Sequence, residues 1–364
     1  MRLLWNCYSV ICAPYGARRY NLASHHWENN MAASSRTGIS RKLWMLASAV
    51  VLVIGLYTAG WFYAASVLRE NTLALLGQQT DAGVSATCEN ADYRGYPFRI
   101  GLFCSKVTVD DNVNGISGSF GALRSAAQVY APSHIVWELD APSEVRTSHG
   151  LTVSTVWQSL QSSLNTKLRG VERASIVLEK SKTSIVSSAI GQSFDVAADH
   201  SEIHLRQNGD DLDAAIQLTN ATTTAEGLPQ LLPPTNASVD VTLAGRGGVL
   251  DGSDQNGLAM QGSEGELRHF KVDLGEGQVL TLAGPFSFDD RGRMSGKLKL
   301  RIEKIEAWQQ SLDQAFPDFA PTIQTAANML AALGGGSDAS IDITIRRGKV
   351  LAGGLIPIGE IPPI

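Results

Sequence analysis

The run from Leu267 to Ile302, LRHFKVDLGEGQVLTLAGPFSFDDRGRMSGKLKLRI, contains the repeating unit of this chain. Leu267, Phe270, Val272 and Leu274 belong to one strand, and Gly275-Glu276-Gly277 turns it. VLTLAGPFSF forms the next strand, Asp289-Asp290-Arg291-Gly292 turns again, and MSGKLKLRI forms a third. Apolar residues at alternate positions, separated by Gly- and Asp-rich breaks, are the signature of half-buried antiparallel strands. Downstream, Ile305, Trp308, Leu312 and Phe316 fall on one face of a helical period. Pro317 and Pro321 are expected to break that helix before a second one over Ile323–Leu333, stopped at Gly334–Gly336. The closing IDITIRRGKVLAGGLIPI reads as a hairpin, with Ile341, Ile343 and Ile345 alternating and Arg347-Gly348 turning.

The same pattern extends upstream. Strands are expected over 195–206 and 211–220, joined by Asn208-Gly209, the strongest short hairpin signal. ASIVLEK (174–180) reads as a strand, and residues 227–235 as a Pro-rich subdomain break. Val156, Leu160 and Leu164, at four-residue spacing, predict a helix over 153–168. In YPFRIGLFCSKVTV (96–109), Phe98, Ile100, Leu102 and Cys104 alternate, and Tyr96-Pro97 sets an extended entry. Pro132 and Pro142 punctuate short strands between these points. With 35 glycines among 364 residues and only 7% aromatics, the expectation is a mainly β fold (β-rich α+β). It is a long antiparallel curved sheet or a sandwich with a few helices, preceded by one transmembrane helix.

The helix is LWMLASAVVLVIGLYTAGWFYAASVL, residues 43–68, without one charged residue. About 20 apolar residues cross a ~30 Å hydrocarbon core. Trp44 at one end and Trp61, Phe62 and Tyr63 near the other suit the two interfaces. Arg36, Arg41 and Lys42 precede the span, whereas Arg69 beside Glu70 follows it. The positive-inside bias places residues 1–42 in the cytoplasm and 69–364 outside, in the periplasm of a bacterial inner membrane. A cleaved signal peptide ending near Ala64-Ala65-Ser66 is the alternative, but its apolar region runs only ~7–15 residues. Residues 69–83 are expected to continue as helix. Residues 1–30, with Cys7, Cys12, His25 and His26, carry no periodicity, and MAASSRTGISRK from Met31 resembles an ordinary start before an anchor.

Cys88 and Cys104 follow the span, in what this orientation makes an oxidising compartment, and are read as a disulfide. A metal pair or a redox pair is the alternative, but neither the spacing nor a CxxC form favours it.

The order anchor, GYPFRIGLFCSKVTV between two cysteines, AAQVYAPSHIVWELDAPSEV, LTLAGPFSFDDRGRMSGKLKLRI and IRRGKVLAGGLIPIGEIPP resembles a bacterial family. That family is domain of unknown function 2125, found largely in alphaproteobacteria. The resemblance covers roughly residues 40–364, and it brings no catalytic residues. The recurring strand–turn–strand pattern is also similar in style to AsmA-like envelope proteins, whose long β-grooves hold lipid.

No catalytic, cofactor-binding or metal-ligating set is expected. His200 and His204 would share a metal only on a helix; on a strand they stand ~13 Å apart. Gly262-Ser263-Glu264-Gly265 lacks the spacing of a nucleophile elbow. Asp251–Gly257 (DGSDQNG) hints at a calcium loop but closes on Ser263 rather than Glu. Gly245, Gly247 and Gly248 lack the Lys-Ser/Thr of a phosphate loop. Asn220 and Asn236 sit in sequons of little weight in a bacterium. Asp289, Asp290 and Arg291, like Arg346, Arg347 and Lys349, read as charged hairpin tips. A net charge of −5 without a basic stripe argues against nucleic acid. The expectation is a non-enzymatic protein of the cell envelope that binds lipid or another apolar ligand; the alternative is a scaffold for envelope proteins.

Overall fold

A computed structural model describes residues 37–77, 84–167, 170–188, 191–225, 232–254, 259–334 and 336–364. The expectations for residues 1–36 and 78–83 lie outside the described residues. The chain divides into two compact units, Met1–Leu56 and Tyr57–Ile364. In the first, the described residues are all helical. The helix α1 runs Thr37–Gly77. Its stretch Ser40–Leu68 is long and apolar enough to cross a membrane, which fits a single-pass anchor.

The second unit carries one antiparallel sheet, twenty strands among the described residues. The first ten are β1 (Val84–Glu89), β2 (Asp92–Arg94), β3 (Arg99–Cys104), β4 (Lys106–Asp111), β5 (Ile116–Phe120), β6 (Leu123–Gln128), β7 (Ala131–Leu139), β8 (Ser143–Thr147), β9 (Leu151–Val156) and β10 (Ser159–Lys167). These are halves of longer runs. β1 pairs with β4 and β2 with β3, then β4 with β5 and β3 with β6. β5 pairs with β8 and β6 with β7, then β8 with β9 and β7 with β10. β10 and β9 finally lie along the two halves of the single long strand β11 (Gly170–Ser187).

From there the meander continues neighbour to neighbour. It passes through β12 (Gln192–Asn208), β13 (Asp211–Ala225) and β14 (Thr235–Leu243). A one-turn helix α2 (Gly248–Asp251) precedes β15 (Glu264–Asp273), β16 (Val279–Phe288) and β17 (Met294–Ile302). Helix α3 (Ile305–Ala315), a 3-10 turn Pro317–Phe319 and helix α4 (Ala320–Gly334) intervene before β18 (Ala339–Arg346), β19 (Lys349–Ala352) and β20 (Ile356–Glu360). Every connection is local, so the fold is a single open sheet rather than a sandwich. The expected break near 227–235 falls partly outside the described residues, and β13 and β14 on either side of it are paired neighbours.

The halving of the early strands marks a seam across the sheet. Asn90, Lys180 and Asn220 stand there with left-handed φ of 53, 49 and 51°. A residue so placed interrupts the ladder and bends the strand. The freed groups find local partners. Asn90 Nδ2 donates to Ser105 Oγ at 2.9 Å, Trp157 Nε1 to the Leu139 carbonyl at 2.8 Å, and Asn220 Nδ2 to Asp199 at 2.9 Å. The Asn220 amide donates to Asn236 Oδ1 at 3.0 Å. The two sequon asparagines therefore meet at a bulge, where the register of β13 against β14 shifts.

Two local expectations are corrected. Residues 153–168 form β9 and β10 instead of a helix. A spacing of four is also a multiple of two, so Val156, Leu160 and Leu164 fit either period. The Ser, Thr and Val around them are weak helix formers, and neighbours on both sides supply ladder partners. Residues 96–98 form a turn closed by the Arg99 amide on the Gly95 carbonyl at 2.9 Å, so Phe98 lies before the strand it was expected to open. The other elements agree. Asn208-Gly209 joins β12 to β13 with Gly209 at φ 65°. Both C-terminal helices form, although Pro321 sits in the first turn of α4, where a missing N–H costs nothing.

Cys88 of β1 and Cys104 of β3 form a disulfide, Cα–Cα 5.3 Å. β1 and β3 lie on opposite sides of the seam, so the bond staples the two halves of the first hairpin. Replacing both cysteines by alanine, a loop with sequence separation 16, is expected to cost about 3 kcal/mol. Thermal unfolding with and without reductant checks this: the native chain should lose the increment on reduction, and the variant should not respond.

Candidate functional site

Residues directly opposite in a ladder share a face, and so do residues two apart on one strand. Pairing therefore traces which side chains line each face on the Cys104 side of the seam. One row runs Ser125–Trp137–Ser162–Ile176 across β6, β7, β10 and β11. It continues Ile203–Ile216–Val239–Phe270 across β12 to β15, then Leu282–Leu300–Ile341. A flanking row on the same face reads Leu178–Ser201–Leu218–Ala237–Val272–Leu280–Ile302–Ala339. On the other flank stand Ile100, Ala127, Ile135, Leu164, Ala174, Leu205, Ala214 and Val241. At ~4.8 Å per strand the apolar band extends about 50 Å, longer than a ~30 Å bilayer core.

The band is covered at its β17–β18 end, and α2 packs beside it at the ends of β11–β13, where Gln207 donates to Asp251. Leu298, Ile302, Ile341, Ile343 and Ile345 are buried in a core completed by Ile305 of α3 and Ala327 of α4, with Trp308 and Leu330 packed against it. Over β7 to β16 the same rows are mostly half-buried, apart from the buried Ser162 and the exposed Ile203 and Ile216. Ile203 and Ile216, paired across β12 and β13, are 38 and 42% exposed. Helices α3 and α4 thus cover the apolar rows where β17 and β18 carry them, while Ile203 and Ile216 stay open to solvent.

The opposite face of the same strands is polar and satisfied. Glu202 accepts from His200 Nε2 at 2.7 Å and from His204 Nε2 at 2.9 Å, while His200 Nδ1 meets Glu179 at 2.7 Å. The histidines lie on a strand as expected, with a carboxylate between them. Hydrogen bonding to Glu202, then to Glu179, raises the His200 pKa. Its contribution to stability is therefore fully present below the unfolded value of about 6.5 and lost as pH rises through the higher folded value. The stability difference between the native chain and His200→Gln is expected to shrink across that window, as read from Tm against pH. A difference that grows with pH would contradict the ladder. Nearby, burial pushes the Asp213 carboxyl up, but bonds from Arg206 at 2.5 Å and Thr242 at 2.8 Å lower it on balance.

Three glycine-rich motifs singled out in the sequence gather around one depression of about 620 Å³. Gly245, Gly248, Asp251, Ser253, Gly262 and Ser263 all line it. Sequence reasoning missed its central group, the buried Arg246, which pairs with Asp254 at 3.1 Å and donates to the Ala259 carbonyl at 2.6 Å. The Ser263 hydroxyl donates to the Met260 carbonyl. Residues 255–257 of the calcium-like loop lie outside the described residues. Asp289 closes its hairpin tip by accepting from the Arg291 and Arg293 amides and the Arg293 side chain, which hold its pKa down to about 2. Arg346, Arg347 and Lys349 flank the β18–β19 turn.

A family profile described as "Uncharacterized protein conserved in bacteria (DUF2125)" matches residues 61–362. The chain belongs to this family. Comparison with curated proteins finds no match. The DUF2125 match covers the end of α1 and the whole sheet, including the apolar rows, the disulfide and α3–α4.

Proposed function

We propose that this DUF2125 protein is a non-enzymatic component of the bacterial cell envelope, held in the inner membrane by α1. In this reading the sheet lies on the periplasmic side and binds acyl chains of lipid. The observation that carries the proposal is the uncovered apolar band around Ile203 and Ile216. Contiguous apolar surface of this extent on a soluble face marks an interaction site. A chain anchored in a bilayer has lipid as its most concentrated apolar neighbour, and a strip dominated by Ile, Val, Leu and Ala around Ile203 and Ile216 offers it dispersion contacts.

Native mass spectrometry of the full chain tests this. Lipid adducts are expected to survive exchange into lipid-free detergent. A chain that sheds all lipid under those conditions overturns the proposal. A second reading, a scaffold for envelope proteins, draws on the edge strand β20, exposed throughout. An unpaired edge is a template for another strand. In-cell cross-linking from Ile358 should then trap one stable protein partner; capture of nothing but lipid removes that reading.

A further inference from the structure

Residues 57–68 of α1 lie inside the stretch apolar enough to cross a membrane, and also within the second unit. A ~30 Å core takes about 20 helical residues. Counted from Leu43, the hydrocarbon ends near Trp61–Tyr63, rings suited to the interface. The turn that opens β3 is fastened at this level. The Tyr57 hydroxyl donates to the Pro97 carbonyl, and the Thr58 and Tyr96 hydroxyls share a bond of 2.7 Å. Buried Trp61 donates from Nε1 to the Arg99 carbonyl at 3.0 Å. The Tyr96 ring stacks on Phe62 and meets Trp61 edge-on, each at 5.6 Å between centroids. Tyr57 stands one helical turn deeper than Trp61, so a turn bonded to it cannot clear the headgroups.

The outward side chains fit that depth. Phe98 is 68% exposed. The Val129 amide donates to the Phe98 carbonyl at 3.0 Å, and this neighbouring turn exposes Val129 and Tyr130, the latter by 76%. Neither Gly95–Phe98 nor Val129–Tyr130 contains a charged residue, while Arg99 follows the first at a position suited to lipid phosphate. The turn at the far end of the same strands, residues 112–115, is polar around a single exposed Val113 and begins with Asp111 accepting from its amides.

We propose that the turns Gly95–Phe98 and Val129–Tyr130 dip into the interface of the bilayer that α1 crosses, as a second membrane contact besides the span. The contact sets the Ile100–Leu102–Cys104 end of the apolar rows at the bilayer surface. It does not depend on what the face binds.

The test places benzoylphenylalanine in place of Phe98, Tyr130 or Val113 in the full chain, in vesicles of phosphatidylcholine and phosphatidylglycerol. After irradiation, intact mass should show about tenfold more lipid adduct at 98 and 130 than at 113. Yields at 98 and 130 no higher than at 113 overturn the proposal. The same labels in an Ile203→Asp, Ile216→Asp background separate the two readings. Adducts that persist support interfacial docking, and adducts that vanish show that the labels read lipid carried on the sheet, which also overturns it.

Discussion

On the proposed lipid-binding role, full-length chain carrying Ile203→Asp and Ile216→Asp is expected to leave the membrane without retained lipid. The two side chains face each other across β12 and β13 and stand more exposed than the rest of their row. If an acyl chain lies against them as proposed, each is expected to lose about 1.5 kcal/mol of apolar burial, at the low end for a side chain already half covered. The pair therefore weakens association by about 3 kcal/mol, roughly 150-fold. A carboxylate facing hydrocarbon adds a desolvation penalty to that. The fold should survive, because these positions border solvent. The readout is bound lipid per chain by native mass spectrometry, alongside an unchanged unfolding midpoint. Retained lipid at native stoichiometry would place the lipid site away from this face and overturn the reading.

Ile343→Ala is the second. Ile343 is buried where β18 faces Leu298 of β17, under the shelter of α3 and α4. Truncation leaves a cavity in a packed core, at a cost of about 2–5 kcal/mol. Thr344, the next residue on the same strand, points to the other face and is half-buried; Thr344→Ala should stay within about 0.5 kcal/mol. Thermal unfolding of the two variants reads the contrast directly. Equal, small losses would mean that the helices do not seal this end of the band.

The elements that were legible in the sequence are those whose signal is local. Ile341, Ile343 and Ile345 alternate, Asn208-Gly209 turns, and Ile305, Trp308 and Leu312 repeat at helical spacing, each within one element. The misreading of residues 153–168 came from an ambiguous period. Only the ladders to β7 and β11 decide between strand and helix there. Arg246 gave no signal because its partners are distant in context, Asp254 and the Ala259 carbonyl beyond a glycine-rich loop. The role of Asn220 was equally hidden, since a bulge exists only relative to a neighbouring strand.

By itself, the order of residues determined that the chain carries one uncharged run long enough for a bilayer, a pair of cysteines beyond it, and strands with one apolar and one polar side. Those are one-dimensional properties: a charge count, a spacing, a period of two. Tertiary structure alone decided that the strands form one open sheet, that a seam of left-handed residues crosses it, and that α3 and α4 cover only the far end of its apolar face. Alternation requires an apolar side to exist, but what lies against that side depends on residues brought together from far along the chain.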